Sequence, residues 1–134
     1  MINTIDDFLG TAEPCASFHD ARLISVQINY DQRELVSNWS LYVGDPESER
    51  ERTRPGRLSF SGLLFWVVEP YGQVLDGSRP WLTSYGSLLE AGTDLAKELS
   101  ERVPQGASAW YLYFSDWNVF AYCCAENGTF AWVE

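Results

Sequence analysis

The sequence predicts a mainly β protein of the α+β class: six to seven antiparallel strands in two hairpin-rich blocks, with one amphipathic helix (about residues 93–102) between them. Three observations carry this. Residues Ala21–Tyr30 alternate apolar and polar side chains, Leu58–Val68 form a nearly unbroken apolar run, and the period changes to a helical one only between Ser87 and Val103.

The elements follow in order. Thr4, then Ile5-Asp6-Asp7-Phe8-Leu9-Gly10, has the makings of a short helical turn, with a capping hydroxyl, carboxylates at the positive helix start and a glycine stop. The first strand places Ile24, Val26, Ile28 and Tyr30 on one face and Ser25, Gln27 and Asn29 on the other. A polar turn at Asp31-Gln32-Arg33-Glu34 leads to a second strand with Leu35, Ser37, Trp39, Leu41 and Val43 on one face. Gly44-Asp45-Pro46 ends this hairpin. The segment from Asp45 through Arg54-Pro55-Gly56 to Arg57 carries four acids and four arginines and reads as an exposed loop bounded by its prolines.

The apolar run of Leu58–Val68 is then a central third strand, with Gly62 where a bulge would let it curl. After turn-rich residues 69–80, Trp81-Leu82-Thr83-Ser84 makes a short strand. Ser87 and Glu90 have capping-box spacing, and Leu88, Leu95, Leu99 and Val103 form a stripe that Gly92 interrupts and Pro104 terminates, so the secure helix starts at Thr93. The C-terminal third reads as a meander. Trp110, Leu112 and Phe114 share one face and Tyr111 and Tyr113 the other, with turns at Asp116-Trp117-Asn118 and at Asn127-Gly128, a strong hairpin dipeptide.

Size and composition predict a single domain over residues 1–134: 46% hydrophobic and 21% charged residues in 134 suffice for one packed core and lie far from the signature of disorder. No run of 18 apolar residues occurs, and Met1–Asp7 lacks a basic start and apolar core, so the expectation is a cytoplasmic protein without membrane association. Three cysteines, two of them adjacent, make no simple disulfide framework and no metal-ligand spacing. Cys123 and Cys124 are expected as small strand residues facing opposite sides, the alternative being a vicinal redox pair. The net charge of −10 repels phosphate backbones and excludes nucleic acid as the expected partner, while the same field attracts a basic protein.

Candidate chemistry is sparse. His19 is the only histidine, and His19-Asp20 is either an acid/base pair or structural, with His19 or Asp20 hydrogen-bonding a neighbouring turn while Phe18 anchors the strand; neighbours on a regular strand point apart, which opposes direct contact. There is no G-x-S-x-G, P-loop, G-x-G-x-x-G or H-E-x-x-H pattern, so no catalytic or metal-binding residue and no cofactor is assigned. Glu69, Asp76 and Asp116 lie near strand ends and keep a carboxylate-pair enzyme open. Tyr111, Tyr113 and Trp117 could instead present an aromatic binding platform, with a homodimer mate or another protein as its cover. The candidate binding residues are thus His19, Asp20, Tyr111, Tyr113 and Trp117.

The stretch Phe18-His19-Asp20-Ala21-Arg22-Leu23-Ile24, followed by a hairpin and Tyr42-Val43-Gly44-Asp45-Pro46, resembles the opening of small bacterial proteins of uncharacterised function. A similar F-H-D-[AS] start precedes an amphipathic strand in immunity proteins of polymorphic toxin systems. This resemblance, over residues 18–46, implies a bacterial cytoplasmic protein and a toxin-neutralising role. The expected function is therefore protein binding, with a small enzyme or ligand-binding domain centred on His19 and the strand-end carboxylates as the alternative.

Overall fold

The computed structural model describes residues 4–10, 16–43, 52–70 and 80–133. Six antiparallel strands, β1 (Ser17–Asn29), β2 (Glu34–Val43), β3 (Arg52–Glu69), β4 (Leu82–Ser87), β5 (Ser108–Phe114) and β6 (Val119–Trp132), form one sheet in the order β1-β2-β3-β6-β5-β4. Two three-stranded meanders are thus joined along β3 and β6. The sheet curls until its outer strands meet, where the Leu23 N–H donates to the Pro80 carbonyl at 3.1 Å and Arg22 forms a bridge with Trp81. Curling encloses an apolar core and covers part of two edges that would otherwise be exposed.

Alternation decides what points inward. On β2, Leu35, Ser37, Trp39, Leu41 and Val43 are all buried, as their spacing predicts. The polar member, Ser37, donates to the Leu58 carbonyl and accepts from the Trp39 indole N–H, both at 2.8 Å, so neither buried partner is orphaned. Phe18 meets Trp39 edge-on at 5.2 Å, and Phe60 stacks on Trp110 at 5.1 Å. The N-terminal turn forms as a 3-10 helix, Ile5–Phe8, capped by Thr4, and it sends Ile5, Phe8 and Leu9 into the same core.

After β4, Ser87 opens a 3-10 turn (Leu88–Ala91), with Glu90 accepting from the Ser87 hydroxyl at 2.6 Å. Gly92 (φ 72) stops it in the left-handed region, and Thr93 caps α1 (Asp94–Ser100) by accepting from the Ala96 N–H at 3.1 Å. The helix therefore connects β4 to β5 inside the second meander rather than dividing the two blocks. Leu88, Ala96 and Leu99 bury the outward faces of Tyr111 and Tyr122 in a second apolar cluster.

Three expectations change. Asn127-Gly128 is no hairpin: both residues lie within β6, opposite Ser61 and Phe60, which reduces the count to six strands. A Cβ on Gly128 would stand 2.7 Å from the Phe8 ring, so this glycine serves close ring approach, not chain reversal. Arg54-Pro55-Gly56 is no loop but part of β3, paired with Leu41, Ser40 and Trp39, while residues 44–51 lie outside the described residues. Its arginines occupy strand positions, with the Arg54 guanidinium 4.8 Å from the Trp132 ring centre. On β1, a register shift between Leu23 and Ser25 turns Ile24 outward (51% exposed), and Tyr30 falls in the turn, so only Val26 and Ile28 of the predicted stripe pack on the core. Gly62, by contrast, behaves as its position suggests: its φ is 62, and the β3–β6 register shifts immediately after it, between Leu63 and Phe65.

Replacing Gly128 with alanine should push Phe8 off its edge contacts with Phe60 and Trp110 and destabilise the fold by about 1–3 kcal/mol, the usual cost of overpacking. The urea midpoint should fall at unchanged m-value; an unaltered midpoint would show that Phe8 does not pack there.

Candidate functional site

The described residues converge on a cleft at the seam where β1 approaches β4. Phe18 is fully buried, which fixes the strand and leaves its neighbour His19 facing outward. Around it the Asp6 carboxylate accepts the Phe18 N–H at 2.8 Å and the Tyr85 hydroxyl at 2.6 Å, and the Ser17 hydroxyl lies 3.4 Å from the same carboxylate. Ser17 Oγ in turn accepts the His19 N–H at 3.0 Å. The 3-10 turn, β1 and β4 are thereby tied together directly beneath the histidine.

His19 and Asp20 do touch. Asp20 adopts φ 62 within an irregular stretch of β1 between Ser17 and Arg22, and this departure from regular strand geometry brings its Oδ2 to 3.1 Å from His19 Nδ1. The expectation that neighbours point apart holds only for an unbulged strand. Both side chains remain solvent-accessible, at 63% and 55%. A carboxylate at this distance attracts the imidazole, whose other nitrogen, Nε2, is an acceptor in one of the ring's two neutral tautomers. Beside the pair is an open cleft of about 550 Å³ lined by His19, Asp20, Tyr42, Trp81, Thr83 and Ser115. Three strands and the β5–β6 turn contribute, and the Ser115 N–H donates to the Trp81 carbonyl at 3.3 Å across two of them.

The remaining sequence candidates lie elsewhere. Tyr111 is buried beneath the 3-10 turn and α1, with its hydroxyl 2.7 Å from Ser84 Oγ. Tyr113 is half-buried against Phe120, with ring centres 4.8 Å apart, and donates to Asn118 Oδ1 at 2.7 Å. Trp117 lies on the turn and packs on Phe114. These three form no common platform with His19. Of the strand-end carboxylates, Glu69 accepts from the Tyr122 hydroxyl at 3.0 Å, Asp116 is exposed on the β5–β6 turn, and Asp76 lies outside the described residues. Tyr42, Trp81, Thr83 and Ser115 were not singled out from the sequence. No short-range signal marks them, because curling of the sheet is what brings them together.

Among the described residues, no group of three or more His, Cys, Asp or Glu side chains could hold a metal ion. Cys123 and Cys124 are free, buried thiols on opposite faces of β6, and burial pushes both above the ordinary thiol range. That is the opposite of what a reactive thiolate needs. No helix of the described residues is long and apolar enough to cross a membrane. No protein-family model matches the chain, and neither the curated proteins nor the solved structures yield a match.

Burial, reinforced by the Asp6 carboxylate, raises the Tyr85 hydroxyl well above its ordinary value of 10.0, and burial raises Tyr122 in the same direction. Together with the two thiols, these groups hold their protons more tightly folded than unfolded. Their stabilisation is complete below the unfolded values and is lost as pH rises, beginning above 9.0 for the thiols and steepening above 10.0 for the tyrosines. Urea midpoints measured from neutral pH upward should fall in that order; a flat alkaline profile would contradict it. At neutral pH, Tyr85→Phe should cost about 1.5–3 kcal/mol, the loss of a hydrogen bond to a charged acceptor, and should flatten part of the alkaline slope.

Proposed function

We propose that this chain is a protein-binding module that takes a basic side chain of its partner, an arginine above all, into the seam cleft. The observation that carries the reading is the Asp20 carboxylate standing beside Tyr42 and Trp81 in one open cleft. A carboxylate with aromatic neighbours suits a guanidinium, which pairs with the former and stacks on the latter. Asp20 keeps acceptor capacity beyond its contact with His19. The overall charge of −10 supports the same partner, because it steers a basic surface toward the protein before contact is made. Neutralisation of a basic toxin is one form of this activity, and the F-H-D-A opening at Phe18–Ala21 supports that form through its resemblance to immunity proteins.

The contact between His19 Nδ1 and Asp20 also favours a second reading, in which the imidazole is a general base in a small enzyme. That role needs a substrate hydroxyl or water at Nε2. An Arg-rich peptide and its Gln-substituted counterpart, titrated into isotope-labelled protein, separate the two. The binding reading expects the Arg peptide alone to shift Asp20, Tyr42, Thr83 and the Trp81 indole N–H, with at least a tenfold loss of affinity in Asp20→Asn, in line with the worth of a charged contact. Shifts scattered over the surface, or unchanged affinity in Asp20→Asn, would overturn it. His19→Ala should leave peptide binding within a few-fold of wild type, whereas a general base would be indispensable to turnover.

A further inference from the structure

In a chain with 19 acidic side chains and nine basic ones, one surface carries the opposite sign. Leu23, Trp39 and Leu58 point into the core, so their strand neighbours Arg22, Asn38, Ser40 and Arg57 face outward on β1, β2 and β3. Register gathers these outward residues into one patch: Arg22 stands opposite Ser40, and Arg57 opposite Asn38, two residues along the same face of β2. Arg57 leans across β2, because its Nε donates to Asn38 Oδ1 at 3.3 Å while Asn38 Nδ2 donates to Ser25 Oγ at 2.9 Å. The rows Arg22–Ser40–Pro55, Ser25–Asn38–Arg57 and Gln27–Val36–Ser59 thus contain two arginines and no carboxylate. Among the described residues, the ion pairs are His19–Asp20 and Arg33–Glu126, and neither involves this patch.

The patch adjoins the seam cleft. Arg22 follows Asp20 by two residues, a span of at most about 7 Å along the chain. Its bridge partner is Trp81, which lines the cleft, and Ser40 stands two residues from Tyr42, another lining residue on the same face of β2. A carboxylate in the cleft is therefore followed, one strand repeat away, by a guanidinium beyond its rim.

We propose that the Arg22–Arg57 patch takes a carboxylate from the same partner that places its arginine in the cleft, so that the recognised segment is extended and carries an aspartate or glutamate two residues from that arginine. This rests on the cleft reading and widens it from one side chain to a pair. In an extended segment, residues i and i+2 project to the same side about 6.5 Å apart, which matches the step from Asp20 to Arg22. A guanidinium is a planar fork of N–H donors suited to a carboxylate, and the bond from Arg57 Nε to Asn38 leaves its terminal nitrogens for such a ligand. The overall charge of −10 favours this occupant over a phosphate polymer or an anionic membrane: it repels a polyanion, whereas an arginine with a carboxylate beside it has no net charge to repel.

Two end-blocked peptides, Glu-Gly-Arg-Gly-Glu and Gln-Gly-Arg-Gly-Gln, titrated into the isotope-labelled full chain at low salt, test the proposal. Both should move the Trp81 indole N–H. The Glu peptide alone should also move the Nε–H signals of Arg22 and Arg57, and it should bind at least about threefold tighter, within the range of exposed charge pairs. The double variant Arg22→Gln, Arg57→Gln, altered only at outward positions, should keep its circular dichroism spectrum and bind the two peptides alike. Equal affinity of the two peptides for wild type, or a difference that persists in the double variant, would overturn the proposal and leave the cleft reading standing. An unmoved Trp81 indole with both peptides would overturn the cleft reading and this extension together.

Discussion

The Asp6 carboxylate joins three parts of the chain that are remote in sequence, by accepting the Phe18 N–H from β1 and the Tyr85 hydroxyl from β4 while itself belonging to the N-terminal 3-10 turn. The seam of the curled sheet depends on that junction. Among the described residues, strand pairing there consists of the Arg22–Trp81 bridge and the Leu23–Pro80 hydrogen bond, and side chains add to the closing. Phe18, held in place by Asp6, is completely buried against Trp39 and Phe130, which links the seam to the centre of the core. A half-buried carboxylate that accepts several donors is well suited to this task, because charge-assisted hydrogen bonds are short and directional.

The same closure explains the economy of the aromatic side chains. The chain is 15% aromatic, and most of these rings are absorbed by the two sides of one sheet. Inside are the Phe18–Trp39–Phe114 and Phe8–Phe60–Trp110 groups; outside, Tyr111, Phe120 and Tyr122 are roofed by a short helical segment. Tyrosine is suited to the roofed face because its hydroxyl can find a partner at the margin, as Tyr122 does with Thr93 at 2.7 Å. β5, apolar on both faces, is thus covered on one by the interior of the curled sheet and on the other by the helical segment.

Much of the architecture was legible in the sequence where a local rule and the tertiary context agree. The inward face of β2, the Thr4 and Thr93 caps and the turn at Asp116-Trp117-Asn118 all obey short-range signals, and Asn118 adopts a left-handed conformation (φ 51) in that turn. Where packing competes with a local signal, packing wins. Asn127-Gly128 resembles a turn, but the glycine is needed under Phe8; Pro55-Gly56 resembles a break, but β3 runs straight through it between β2 and β6. Of the cleft, only His19 and Asp20 could be found from the sequence. Their contact depends on a strand irregularity, and Tyr42, Trp81, Thr83 and Ser115 join them through curvature, which single-strand periodicity does not encode.

The route by which β3 and β6 come together has a consequence for how the chain finds its native state. Within each meander, neighbouring strands are also neighbours in sequence, so β1–β2–β3 and β5–β6 can assemble from nearby contacts. The ladder that unites them pairs Gly56 with Trp132 and spans most of the polypeptide, with a large loss of chain entropy before any of its hydrogen bonds compensates. Docking of two preformed meanders along β3 and β6 is the step that topology makes slow. Until it occurs, the side of β3 that will meet β6 is open, and the same residues that later hold the molecule together are those by which incompletely folded chains would adhere to one another.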